Sequence, residues 1–116
     1  MGNEVNVQDG AIIHCTYKKS PTTIGNQVTI GHNAIVHGCT IKDRVLIGIG
    51  AIVLDNSIVE SDSIIAAGAV VTMGTHVKSG EIYAGVPAKK VKEGEFKKQL
   101  LDLAKNYVEY SKWYKD

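Results

Sequence analysis

The 116-residue sequence is poor in cysteine, proline and aromatic side chains. It has two cysteines, Cys15 and Cys39, two prolines, and aromatic residues at only 6% of its positions. Small secreted proteins that are stabilised by disulfide bonds contain more cysteines than two. Both cysteines are therefore expected to be free thiols in a reducing, cytoplasmic compartment. The shortage of aromatic side chains, combined with 12 glycines, favours a thin β architecture with many corners over a bundle of helices.

The sequence also lacks long apolar runs and blocks of one charge. Its longest apolar stretches, such as residues 66–71, are far shorter than the ~20 residues that span a bilayer, and no signal peptide is recognised. The formal net charge is +1, without the basic block that a phosphate backbone would require. These absences predict one globular domain with no membrane and no nucleic-acid partner.

Branched aliphatic residues form a regular repeat along the middle of the chain. From Ile24 onward they return after six, six and five positions, and this cycle then starts again. The cycle predicts three inward columns, namely Ile24, Ile41 and Ile58, then Ile30, Ile47 and Ile64, then Val36, Val53 and Val70. One further cycle towards the N-terminus reaches Val7 and Ile13. Such self-similarity predicts a solenoid whose stacked turns bury continuous columns of side chains.

Three short strands and three corners in each turn predict a triangular prism. Glycine and asparagine recur after the aliphatic positions, and both tolerate the positive φ angles that tight corners need. This all-β solenoid of about five turns, spaced ~4.8 Å apart, is assigned to residues 1–91. Residues 15–23 break the period with Lys18 and Lys19, and are predicted to form an extruded loop.

An amphipathic helix is predicted for residues 92–116. Apolar side chains recur there at intervals of three and four, which is typical of one apolar stripe on a helix. The stripe consists of Phe96, Leu100, Leu103, Tyr107, Tyr110 and Tyr114. Because the side chains of the prism fill its own interior, the stripe is expected to cover an outer wall of the same chain or of a neighbour.

Three of the four histidines, His14, His32 and His37, are clustered in the first third of the sequence. Three neutral imidazoles can hold a zinc-like ion and leave a fourth position for water. His14 and His37 each follow an inward aliphatic residue, so strand alternation places them on the outer wall, while His32 is expected at a corner. Up to ~16 Å of extended chain separates His32 from His37. A threefold arrangement of copies could bring these rings together, and His76 is left as a surface residue.

Several segments resemble γ-class carbonic anhydrases. They are residues 6–10, 13–14, 30–41 and 84–89. The Gln-Asp-Gly stretch at 8–10 and the Gly-His-x-x-x-x-His-Gly stretch at 31–38 carry most of the specificity, since the hexapeptide repeat is shared with many acyltransferases. The resemblance implies a left-handed parallel β-helix, a homotrimer, and a C-terminal helix packed along the prism.

The resemblance also implies a lyase that hydrates carbon dioxide with a metal-bound hydroxide. Zn²⁺, with Fe²⁺ or Co²⁺ as alternatives, would be held at each subunit interface by His14 and His37 of one chain and His32 of the next. It implies that Gln8 lies near the metal-bound water and that Asp9 takes part in an interfacial network. Gln8 is thus a candidate for positioning hydroxide or substrate. The alternative is that its amide only forms hydrogen bonds that stabilise a corner of the prism.

Two further observations concern a candidate residue and departures from the family. Tyr83 is a candidate catalytic residue from a later turn, with packing as its alternative role. Family members have N-terminal turns with an arginine that pairs with the residue matching Asp9, whereas Arg44 is the only arginine in this sequence. The loop at 15–23 carries lysines where the best-studied branch of the family has acidic residues.

Two other functions remain open. A hexapeptide acyltransferase would use one histidine as a general base and bind coenzyme A between prisms, without a metal. A non-catalytic member of the same family would keep the trimer and the ion as a metal-binding assembly unit. Metal content distinguishes the hydratase from the acyltransferase, and turnover with the metal intact distinguishes it from the assembly unit.

Overall fold

The computed structural model describes residues 2–14, 21–95 and 98–100 of the chain. These ranges contain fourteen short strands, numbered along the sequence, on three faces of a prism. The first face carries β1 (Asn6–Val7), β4 (Thr29–Ile30), β7 (Leu46–Ile47), β10 (Ile64–Ile65), β13 (Glu81–Ala84) and β14 (Lys89–Glu93). The second carries β2 (Ile12–His14), β5 (Ile35–His37), β8 (Ile52–Val53) and β11 (Val70–Val71). The third carries β3 (Thr23–Ile24), β6 (Thr40–Ile41), β9 (Ile58–Val59) and β12 (His76–Val77).

The first thirteen strands form a parallel β-solenoid, as the repeat predicts. Each strand pairs with the strand one turn away on the same face, for example β4 with β7 and β5 with β8. In the described ranges the solenoid makes four full turns and adds β13 on the first face, slightly fewer than the five predicted. Branched aliphatic side chains fill its interior, because short flat strands suit their restricted rotamers.

The inward columns shift by one position halfway along the chain. Ile30 lies beside Ile47, as the repeat predicts, but Ile47 lies beside Ile65 and not beside Ile64. Val59 and Val71 are likewise buried inside the prism. The inward placement predicted for Ile58, Ile64 and Val70 is therefore wrong: these side chains point outward. Each of these strands consists of two adjacent branched residues, so hydrophobicity alone did not decide which one is buried.

The first turn is also offset from the predicted columns. Val7 lies beside Ile30 and Ile13 lies beside Val36, so this turn takes up more chain than one cycle of the repeat. The predicted step is too short because the interval includes the loop expected at 15–23. Residues 15–20 of that loop lie outside the described ranges.

A ladder of side chains closes one corner of the prism. Asn26 Oδ1 accepts a hydrogen bond of 2.8 Å from the backbone N–H of Asn3. Asp43 Oδ1 does the same for Asn26 at 2.8 Å, and Ser61 Oγ for Asp43 at 3.1 Å. Polar side chains thus satisfy backbone donors where the chain turns and no strand pairing is available.

The C-terminal region departs from the predicted boundary. Strand β14 runs antiparallel to β13 and continues to Glu93, so residues 92 and 93 are in the sheet. Residues 98–100 are helical, and Leu100 is buried, as expected for the apolar stripe. Its other members, Phe96, Leu103, Tyr107, Tyr110 and Tyr114, lie outside the described residues. No helix in the described ranges is long and apolar enough to cross a bilayer.

Candidate metal site

The solenoid brings His14 and His37 together on its second face. Strands β2 and β5 pair in parallel with these two residues directly opposite each other. Their rings stack, with centroids 4.9 Å apart and planes inclined by 21°. His14 is exposed and the His37 side chain is 29% exposed, which confirms the outer-wall placement predicted from strand alternation. The pair presents two imidazole rings on one face of the solenoid.

A carboxylate holds one nitrogen of the His37 ring. Asp55, which follows β8 in the next turn, places Oδ1 in hydrogen-bond contact with His37 Nδ1. A carboxylate acceptor favours the tautomer with its proton on Nδ1, which leaves the lone pair on Nε2 for a ligand. Metal-binding histidines commonly have such a partner. Asp55 was not predicted as a site residue, because its only signal in the sequence is its position about one turn of the solenoid after His37.

Gln8 and His32 are linked across the adjoining corner. His32 is exposed in the turn between β4 and β5, as predicted. Gln8 Oε1 accepts a hydrogen bond of 3.1 Å from the backbone N–H of His32. The amide oxygen of Gln8 therefore stabilises the corner by accepting this hydrogen bond. The amide nitrogen is the atom that could donate a hydrogen bond to a substrate.

One copy of the chain does not assemble three ligands. Within residues 2–14, 21–95 and 98–100, no three His, Cys, Asp or Glu side chains are grouped closely enough to hold a metal ion. His32 is thus not brought to His14 and His37 within a single chain. The paired imidazoles are of the kind that zinc-like ions take, and a site with three imidazoles would need His32 from another copy.

Asp9 and Arg44 are not partners in this chain. Asp9 is exposed after β1, and its carboxylate forms no ion pair with any residue that the structure describes. Arg44 instead donates from Nε to Asp62 Oδ1 at 2.7 Å and from Nη2 to Oδ2 at 3.3 Å. The hydrogen bond with Asp62 raises the pKa of Arg44.

Tyr83 and His76 lie apart from the stacked pair. Tyr83, on β13, is beside Ile65 and packs against the aliphatic core, which favours its packing role over a catalytic one. His76 is exposed on the third face, and its Nε2 lies 2.6 Å from Glu60 Oε2. His76 is therefore a surface residue, as predicted, with a carboxylate partner.

Cys39 is buried, and its thiol is expected to be unreactive. Burial raises the pKa of its thiol to about 12, so the thiolate that binds metals is strongly disfavoured near neutral pH. The residue is free of disulfide bonding, as predicted. Cys15 lies outside the described residues.

A groove of about 310 Å³ lies on the first face beside Gln8. Its walls are mostly apolar and include Leu46, Ile49 and Ile64. The glycines Gly31 and Gly48 also line it, and a Cβ at either position would lie within 3.0 Å of the backbone of the next turn. An apolar groove next to a polar amide suits a small molecule or an acyl chain.

Known proteins resemble this chain over most of its length. Residues 38–72 match the family described as "Bacterial transferase hexapeptide (six repeats)". Protein YrdA of Escherichia coli is 43% identical over 124 residues, which cover all of this chain and 67% of YrdA. "Gamma carbonic anhydrase 2, mitochondrial" of Arabidopsis thaliana is 38% identical over 121 residues. That match covers 93% of this chain, which spans only 41% of the plant protein's length.

A solved structure shares both the sequence and the solenoid. It is a hexapeptide transferase family protein from Anaplasma phagocytophilum, which is 39% identical and superposes with a TM-score of 0.91. The superposition covers 98% of this chain and 68% of the other. Together with YrdA, it shows that the chain belongs to the hexapeptide-repeat family, and proteins named γ carbonic anhydrases are among its relatives.

Proposed function

We propose that the chain hydrates carbon dioxide to bicarbonate at a divalent cation held between two copies. The observation that carries the proposal is the stacked pair of His14 and His37, with Asp55 on the inner nitrogen of His37. Two imidazoles whose ring centroids lie 4.9 Å apart could offer two nitrogen ligands to one zinc-like ion. The relative named as a γ carbonic anhydrase supports this reaction class.

The third ligand would be His32 of a neighbouring copy. His32 is exposed at a corner, where it can face the second face of another prism. That face carries an apolar column beside the histidines, formed by Ile12, Ile35, Ile52 and Val70. Ile12 is 52% exposed, and exposed apolar surface next to polar ligands is typical of an interface. A homotrimer would then hold three equivalent sites.

The chemistry of hydration assigns different tasks to these residues. A bound Zn²⁺, Fe²⁺ or Co²⁺ ion would act as a Lewis acid and lower the pKa of a coordinated water to about 7. His14, His32 and His37 would hold the ion through neutral ring nitrogens. Gln8 would orient carbon dioxide through its amide N–H, while its oxygen keeps the turn of His32 in place. Asp9, exposed next to Gln8 in the chain, would take part in contacts between copies.

A second candidate is transfer of an acyl group from coenzyme A. The apolar groove beside Gln8 favours it, as does the transferase family name of the Anaplasma phagocytophilum protein. In that case one exposed histidine would act as general base towards an acceptor, and no metal would be needed. A third candidate, a metal-binding assembly unit without turnover, keeps the same ligands. The cytoplasmic location, whichever function holds, stays a prediction.

Elemental analysis of the purified protein, combined with its mass in solution, tests the proposal. We expect one divalent ion per chain in a trimer, and hydration of carbon dioxide above the buffer rate in a stopped-flow assay. His37→Ala should lose the ion and the activity, whereas His76→Ala, a histidine on another face, should keep both. A metal-free monomer would contradict the proposal. A fully metallated trimer without hydration would favour the assembly unit, and a metal-free protein that transfers acyl groups would favour the second candidate.

A further inference from the structure

We infer that Asp55 is a positioning residue, which fixes the His37 ring so that Nε2 is presented to the cation. The inference rests on the proposed function. It assigns a task to a side chain that does not itself touch the ion. The geometry comes from the solenoid, because β8 lies beside β5 and the turn after β8 brings Asp55 to His37. The side chains of His37 and Asp55 are 29% and 20% exposed, so the contact is partly shielded from water.

An imidazole can present either nitrogen, and a partner decides which one. With Asp55 accepting from Nδ1, the proton stays on that atom and the lone pair of Nε2 is left for a ligand. Rotating the ring by half a turn would break this hydrogen bond. The stacked ring of His14, with its centroid 4.9 Å away, restricts tilting as well. Fixing the tautomer and orientation before the ion arrives reduces the cost of binding.

A second histidine in the chain offers a matched control. His76 Nε2 lies 2.6 Å from Glu60 Oε2 on the third face, so it is also a histidine with a carboxylate. The side chains of His76 and Glu60 are more exposed, at 49% and 32%, and the pair lies on a different face from His14 and His37. If the carboxylates only stabilise the fold, substitutions of Asp55 and Glu60 should have similar effects on metal binding. If Asp55 positions His37, only its substitution should weaken metal binding.

The first measurement is the affinity of metal-stripped protein for Co²⁺, followed through its visible absorption. Asp55→Asn is expected to bind Co²⁺ about 10- to 100-fold more weakly than the wild type, with an altered absorption spectrum, while Glu60→Gln binds like the wild type. Equal affinity of Asp55→Asn and wild type would overturn the positioning role and leave the proposed function standing. A wild type that binds no Co²⁺ would overturn both.

The second measurement needs no variant at Asp55. Nitrogen-15 NMR of the metal-free wild type, with the His37 signals assigned by substituting that residue, reports which ring nitrogen carries the proton. We expect the proton on Nδ1 of neutral His37. A proton on Nε2 would overturn the positioning role even if Asp55→Asn failed to fold.

Discussion

The imidazole rings of His14 and His37 stack at 4.9 Å although two strands, β3 and β4, lie between them along the chain. Their separation equals one strand spacing of a β-sheet, because they occupy matched positions on two adjacent parallel strands. The donor pair is therefore built on the wall of a solenoid and not on a loop. Rigid elements hold ligands in more reproducible geometry than loops do.

Gln8 is predicted to matter to turnover through its amide nitrogen. Gln8→Glu keeps an oxygen that can accept from the His32 N–H and removes the N–H donors. We expect this variant to keep its metal content and to lose about 100-fold in hydration rate. Gln8→Ala should in addition bind the metal more weakly, because the turn of His32 loses its acceptor.

Gln27→Glu, at a different corner of the prism, serves as the control and should leave both metal and rate unchanged. Rates are compared after elemental analysis of each sample. If Gln8→Glu hydrates carbon dioxide like the wild type, Gln8 is a corner amide only.

Two glycines of one corner are predicted to respond differently to substitution by asparagine. A Cβ at Gly48 would lie 2.5 Å from the backbone nitrogen of Ala67, whereas at Gly50, with φ +70°, it would meet no atom within 4 Å. Asparagine tolerates a positive φ but cannot avoid a backbone clash. Gly48→Asn should therefore lower the free energy of unfolding by more than about 2 kcal/mol, and Gly50→Asn by less than about 1 kcal/mol.

Urea denaturation at one fixed chain concentration measures both glycine variants, since assembly makes stability depend on concentration. Equal losses of stability at Gly48 and Gly50 would mean that the coils do not approach as closely as the structure has them.

Cys39 is predicted to resist alkylation. Burial raises the pKa of its thiol from 9.0 to about 12, and thiolate is the reactive form. In a Cys15→Ser background at pH 8, iodoacetamide should react with the folded protein at least about 100-fold more slowly than with the unfolded chain. Because the folded state holds this proton more tightly, Cys39 contributes stability below pH 9 that is lost as the pH rises towards 12. Fast alkylation of folded protein would contradict its burial.

The solenoid could be predicted because a strict aliphatic period requires stacked turns. Because the first turn is offset as well, the columns could be predicted only from Ile24 to Val53. Beyond it, doublets such as Ile64 and Ile65 offer two inward candidates, and only the fit of each turn on its neighbour decides between them. In the structure Ile65 is the buried residue of this pair. The inward and outward positions of the later turns are therefore shifted by one residue from those that the repeat predicts.

The candidate site could be predicted in part. Strand alternation placed His14 and His37 outside, but their direct contact depends on a longer interval between them than one cycle of the repeat, which the regular repeat does not give. Asp55 was not identified because an acidic residue in a turn is common on any surface. Its meaning comes from the strand pairing that sets it beside His37.

Mixing two inactive variants tests most directly whether each site takes ligands from two copies. His32→Ala and His37→Ala each remove a ligand from every interface, so neither alone should retain the ion. In trimers formed from equal amounts of both, about one quarter of the interfaces join an intact His32 to an intact pair of His14 and His37. We expect the mixed trimers to hold about one quarter of the wild-type ion content and hydration rate. Ion content no higher than in the separate variants would contradict a shared site.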